Sequence, residues 1–130
     1  MENSGNNQEI LTAAQLLVMR PCYSFEKPLI LFLLGRANIV IELDRIKVVP
    51  MNDGGMGSLK FCTSYNENRR FGKIASECIF WDADSKEVSA VLNLDQDGKL
   101  FELDIFKSDF SPLLRWPTQA ELHEANIDGR

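Results

Sequence analysis

One histidine, three cysteines and no apolar run longer than the six residues 29–34 close off several classes of function at once. A helix that crosses a bilayer needs about 20 apolar residues, so that run is far too short. The cysteines, Cys22, Cys62 and Cys78, are odd in number and no two have Cys-x-x-Cys spacing. Their neighbours are largely apolar or aromatic, which predicts buried thiols in a reducing compartment instead of a disulfide or zinc framework. The first eight residues lack the basic-then-apolar layout of a signal peptide. A cytoplasmic protein is the expectation. The single histidine, His123, sits in a polar stretch near the C-terminus with nothing to place it beside a cysteine. No catalytic apparatus and no cofactor are therefore expected.

Positive charge is also short. The formal net charge is −5. Residues 1–65 hold six acids and six bases, and residues 66–130 hold thirteen acids and eight bases, so the whole excess lies in the second half. An acidic surface repels phosphate backbones, so neither nucleic acid nor membrane is an expected partner. A basic protein is one, since complementary charge speeds and selects association. Acidity also serves solubility alone.

What is present reads as one globular domain of 130 residues. Residues 1–8 are polar and expected to be disordered. Apolar residues at helical spacing (Ile10, Ala13, Ala14, Leu17, Val18) predict an amphipathic helix over residues 9–19, ended by Arg20-Pro21. Residues 24–36 read as a buried helix, with Ser24 as N-cap and Gly35 as C-cap; a buried strand is the alternative for so short a run. From Ile39 onward β signals dominate, with strands expected near residues 40–49, 59–63, 75–81, 88–94 and 100–106. Helices first and strands after predict an α+β fold, one or two N-terminal helices packed on an antiparallel sheet of about five strands. The domain is expected over residues 9–116, with 117–130 as a tail that holds a short helix started by Thr118 and Glu121 at capping-box spacing.

Three segments carry candidate chemistry. Asp53-Gly54-Gly55-Met56-Gly57-Ser58 is glycine-rich, but lacks the Gly-Lys-Ser/Thr and following helix of a phosphate-binding loop. It reads as a strand-to-strand loop with positive-φ glycines. Asn93, Asp95, Asp97, Gly98 and Asp104 match the spacing of a calcium-binding EF-hand loop. Their flanks alternate like strands, so Asp97-Gly98 reads as a hairpin turn and no metal is assigned. Asp82, Asp84 and Glu87 read as a second hairpin turn. In the last strand Phe101, Leu103 and Ile105 fall on one face and Glu102 and Asp104 on the other, near Asn93 and Val91. Of the aromatic residues, Trp116 beyond the last strand is the candidate interface anchor.

Residues 51–59, Met-Asn-Asp-Gly-Gly-Met-Gly-Ser-Leu, and 100–113, Leu-Phe-Glu-Leu-Asp-Ile-Phe-Lys-Ser-Asp-Phe-Ser-Pro-Leu, resemble the two signatures of an uncharacterised family of small bacterial domains. The resemblance covers about residues 45–114. The family pattern has Trp in place of Phe106 and often Asp-Gly in place of Asp84-Ser85. The resemblance implies a fold and a bacterial source, and no chemistry. The expected function is a non-catalytic protein-binding module of the toxin-immunity or inhibitor type. Its contact set would be Glu102, Asp104, Asp109, Asp95, Asp97 and Trp116. The alternatives are a carboxylate-based metal or enzymatic module and a self-associating domain, a homodimer being one form.

Overall fold

A computed structural model describes residues 18–63 and 68–124. The disorder expected of residues 1–8 lies outside the described residues, and so does nearly all of the helix expected over 9–19. Within them the chain forms one antiparallel sheet with one α-helix. The elements in chain order are β1 (Arg20–Pro21), α1 (Lys27–Arg36), β2 (Lys47–Pro50), β3 (Leu59–Cys62), β4 (Phe71–Trp81), β5 (Glu87–Asp95), β6 (Leu100–Lys107) and β7 (His123–Glu124). One-turn 3-10 helices cover Leu43–Arg45 and Gln119–Glu121. The spatial order of strands is β1-β2-β3-β6-β5-β4-β7. The α+β class with an antiparallel sheet stands, and the strand number is seven instead of five.

Each departure has a local cause. The stretch 40–49 is a strand only at its end, because Leu43–Arg45 closes a tight turn first. Ser24 does not cap α1. Glu26 holds that position, and its carboxylate turns back to accept the Tyr23 N–H at 2.8 Å and both guanidinium arms of Arg20 at 2.9 and 2.8 Å. Pro28 is accommodated because it lies in the first turn, where its missing N–H has no partner to lose. Gly35 lies inside the helix, which runs on to Arg36, and Asn38 takes the left-handed conformation at φ 58°. Residues beyond 116 extend the fold: Thr118 and Glu121 form the capping box, and β7 pairs with β4.

The core lies between α1 and one face of the sheet. Leu29, Ile30, Leu33 and Leu34 are buried on the helix, while Leu31 faces outward. Cross-strand register lines up Leu59, Leu103, Leu92 and Ser76 in one row, and Ile105, Ala90 and Cys78 in the next. Ser76 Oγ donates to the Leu33 carbonyl at 2.7 Å, fixing helix to sheet. Phe61 and Phe80 are fully buried on this inner face. Alternation puts Lys60, Glu102, Asp104, Phe106 and Val91 on the outer face.

Two backbone positions set tight turns and joints. β4 carries register shifts at Phe71/Lys73 and Ile74/Ser76, and a Cβ on Gly72 would land on the Asp95 carbonyl. Ser85, in the β4–β5 turn, sits at φ 66°, the left-handed region that favours the glycine of the resembled family pattern. Gly72→Ala is expected to cost about 1–3 kcal/mol by overpacking against backbone. Ser85→Gly should gain about 0.5–1 kcal/mol. Urea melts of both variants test the pair, and equal effects of one sign would contradict this reading.

Candidate functional site

The residues that carry the two signatures meet in space, around a buried lysine. Lys107 continues the alternation of Phe101, Leu103 and Ile105, so its side chain enters the inner face opposite Val88. It is 0 % exposed. Asp82 continues the alternation of Cys78 and Phe80 just past β4, and reaches the same end of the core. Lys107 Nζ donates to Asp82 Oδ2 at 2.7 Å, to Asp84 Oδ2 at 2.8 Å and to the Pro112 carbonyl at 3.2 Å. The Asp82 carboxylate also accepts the backbone N–H groups of Ala83, Leu114 and Arg115 at 2.7, 2.8 and 3.0 Å. A charge pair out of water is costly unless every remaining donor and acceptor is matched. Here the matching groups belong to the β4–β5 turn and to residues 112–115, so the pair ties both to the end of β6.

The glycine-rich loop grips the same segment from its other side. Gly54, Gly55 and Gly57 take φ of 77°, 83° and 105°. Asp53 closes the loop by accepting the Met56 and Ser58 N–H groups at 3.1 and 2.9 Å. The Gly55 carbonyl accepts the Leu113 N–H at 3.0 Å. A Cβ on Gly57 would press on Trp116, Ile105 and Leu113 at 3.2–3.4 Å. Ser58 Oγ accepts the Ile105 N–H at 2.8 Å. Asp53 thus takes two of the loop's N–H groups and the strap after β6 donates to a loop carbonyl, while the positive φ angles and the close approach at Gly57 account for the glycines.

A second buried pair fixes the β5–β6 hairpin. Asp95 Oδ1 accepts the Asp97 and Lys99 N–H groups at 2.8 and 3.0 Å, and Asp95 Oδ2 meets Arg69 Nε at 2.9 Å. Arg69 also donates to the carbonyls of Phe61 and Leu100, and its guanidinium lies over the Phe101 ring. Gly98 turns the corner at φ 81°. The EF-hand-like spacing is therefore a hairpin whose first carboxylate is committed to the turn, and among the described residues no cluster of three or more His, Cys, Asp or Glu could hold a metal ion.

The expected contact residues fall in different places. Asp95 is buried in the turn, and Trp116 is half-buried against the core with Phe25 at 6.3 Å between ring centroids. Asp97 is exposed at the hairpin tip, and Asp109 is exposed with Oδ1 holding the Ser111 hydroxyl and N–H at 2.6 and 3.1 Å. Glu102 and Asp104 are together on the outer face, half-buried. Two exposed aromatics join them: Phe106 on the same face, 47 % exposed, and Phe110, 69 % exposed, edge-on at 5.1 Å. Phe110 is held at φ 64°, a strained conformation for a large side chain. His123 is exposed and edge-on to Trp81. Register pairs His123 with Ile79 and Glu124 with Cys78, so the histidine and the Cys78 thiol point to opposite faces. Burial pushes that thiol up to about 12 and the Cys22 thiol to about 11, which leaves both as poor nucleophiles.

The carboxylates divide into two electrostatic classes. Burial works to raise Asp82 and Asp95, but Lys107 and the Leu114 N–H outweigh it at Asp82, and the Lys99 N–H and Arg69 outweigh it at Asp95, so both lie below their usual range. Burial raises Glu102, with the neighbouring Asp104 adding to it, and burial raises Asp104 against the hydrogen bond from Asn93. Asn93 Nδ2 donates to Asp104 Oδ2 at 2.7 Å, while Asn93 Oδ1 is buried with no hydrogen-bond partner. An unsatisfied buried acceptor costs about 1–3 kcal/mol.

An antiparallel α+β sheet domain, braced by two buried ion pairs and presenting an acidic and aromatic outer face, is the class that fold and geometry define. The chain belongs to the domain-of-unknown-function family DUF6984, whose model matches residues 19–117. No curated protein and no solved structure matches it. No helix among the described residues is long and apolar enough to cross a membrane.

Opposite pH responses follow. Asp82 stabilises the fold above the ordinary carboxylate range, and this is lost as pH falls through its lowered value. Glu102 binds its proton more tightly folded than unfolded, so its contribution is present in acid and lost as pH rises through its raised value. Asp82→Ala should cost about 3 kcal/mol or more at pH 7, because Lys107 stays buried with one partner fewer. Glu102→Gln should be neutral or stabilising at pH 7 and lose that advantage by pH 4. Thermal melts across pH 4–8 check both, and parallel pH profiles for the two variants would contradict the division.

Proposed function

We propose that this domain is a non-catalytic protein-binding module, of inhibitor or immunity type, that meets a basic protein on the outer face of its sheet. The observation that carries the reading is the exposed Phe106–Phe110 pair beside Glu102, Asp104 and Asp109. Exposed aromatics ringed by polar groups are typical anchors of protein interfaces. Phe110 keeps a left-handed backbone while most of its ring stays in solvent, an arrangement with little return in packing. The flanking acids supply steering toward a positive partner. The carboxylates read in the sequence as turn residues or as an EF-hand-like spacing have structural duties: Asp82, Asp84 and Asp95 each hold a turn or strap.

Within this reading Glu102, Asp104 and Asp109 keep their place in the contact set, Phe106 and Phe110 join it, and Asp95 and Trp116 serve the fold. Affinity capture from the source cells should return a protein of high isoelectric point that elutes with salt. Phe110→Ser, and separately Glu102→Lys with Asp104→Lys, should each weaken that complex by about tenfold or more. The melting temperature of Phe110→Ser should stay within about 3 °C of the parent. A complex indifferent to both changes, or an acidic partner, would overturn the proposal.

A further inference from the structure

Successive side chains leave a strand on opposite faces, so one covering layer cannot bury two neighbours in a row. α1 covers the inner face of this sheet. Yet on β2 Val48 is fully buried and Val49, which points the other way, is only 3 % exposed. On β5 the same holds for Leu92, fully buried, and Asn93, 4 % exposed with Oδ1 enclosed. Register joins the two outward residues in one row: Val49 lies across from Lys60, Lys60 from Glu102, and Glu102 from Asn93. Lys60 and Glu102 in the middle of the row are half-buried. Burial also raises Glu102 and Asp104, as expected of carboxyls on a covered face. Elsewhere Ile74 and Phe106 are exposed, so the cover is local. This burial is found within one copy of the chain, so a second copy does not supply it.

The path of the chain points to the source. β1 pairs antiparallel with β2, Arg20 opposite Val48, so the residues just before β1 arrive beside Val49. Val18, where the described residues begin, is helical. It forms one wall of a groove of about 480 Å³, whose other walls include Val49, Pro50, Met51, Lys60 and Glu102. In the sequence before it, Ile10, Ala13, Ala14 and Leu17 share one helical stripe with Val18, and Thr12 and Gln15 fall on the reverse. A helix of ten residues is about 15 Å long. The three strand spacings from β2 to β5 come to about 14 Å. So short a helix is marginal in water and needs a surface for its apolar stripe. Residues 64–67 belong to the connection from β3 to β4, and residues 125–130 follow β7 at the opposite edge of the sheet.

We infer that residues 9–18 form a second helix laid across the outer face of the sheet, opposite α1, with Ile10, Ala13, Ala14 and Leu17 turned into the groove beside Val49. Helices then cover both faces of the sheet along this row. Phe106 and Phe110 are exposed and lie outside the cover, with Glu102 and Asp104 at its border. This placement does not depend on the protein-binding reading.

The test uses the whole chain, followed by NMR. Methyl contacts from Ile10 and Leu17 to Val49 and Met51 are expected. The amides of residues 13–17 should exchange at least about tenfold more slowly than in an unstructured peptide. Leu17→Asp should abolish the contacts and bring those amides to peptide rates, while the Leu33 and Leu92 amides keep theirs. Thr12→Asp, on the reverse of the stripe, should leave contacts and rates unchanged. Missing contacts in the parent chain, peptide-like exchange at residues 13–17, or equal effects of the two substitutions would each overturn the inference. So would contacts seen only between differently labelled copies in a mixed sample. Should Leu17→Asp unfold the whole chain, the contacts and exchange rates of the parent decide alone.

Discussion

The ion pair between Lys107 and Asp82 is the constraint on which the rest of the arrangement depends. Both side chains are fully enclosed, and each has more than one further partner. Through them three separated pieces of chain become one: the β4–β5 turn, the end of β6, and the strap at residues 112–115. The glycine-rich loop closes over the strap from the far side, and Trp116 packs where a larger residue at Gly57 would collide. The two family signatures are thus halves of one joint, and their residue choices follow from packing and charge satisfaction.

That joint gives the residues whose spacing suggested chemistry a structural duty. A glycine-rich loop binds phosphate with free N–H groups, and here Asp53 takes those of Met56 and Ser58 while the strap donates to the Gly55 carbonyl. An EF-hand directs its first carboxylates at an ion, and here Asp95 holds the hairpin turn and Arg69. On the opposite side of the sheet lie Glu102, Asp104 with its bond from Asn93, and the exposed ring pair Phe106–Phe110. The inner face and its end specify the fold, and the outer face is where the proposed recognition would fall.

Period-two alternation made much of this legible from sequence. It placed Leu103 and Ile105 inward and Glu102 and Asp104 outward, and it identified both hairpin turns, but at the register shift near Leu94 the core takes Leu100 in place of Phe101, whose ring lies under Arg69. The same alternation reaches Lys107 and Asp82, but a lysine and a turn aspartate are ordinarily solvated, so composition masked their burial. Phe106 and Phe110 were hidden for the converse reason, since aromatics beside a strand usually enter the core. Trp116 looked exposed because it follows the last long strand, yet the strap carries it back onto the core. β1 and β7 have only two residues each, too few for any periodic signal, and their pairing is set by tertiary contacts. The helix cap at Glu26 escaped notice because its carboxylate answers to Arg20, six residues earlier, instead of to the helix.

The most direct measurement is the NMR signal of the Lys107 ammonium protons near neutral pH. Hydrogen bonding to Asp82 and Asp84 outweighs burial and holds this amine above its usual range. A slowly exchanging, positively charged ammonium resonance is therefore expected, still charged at pH 10 and lost in Asp82→Asn. A Lys107 signal that exchanges like a surface lysine, or that titrates below the ordinary lysine range, would contradict the buried joint and the division of faces built on it.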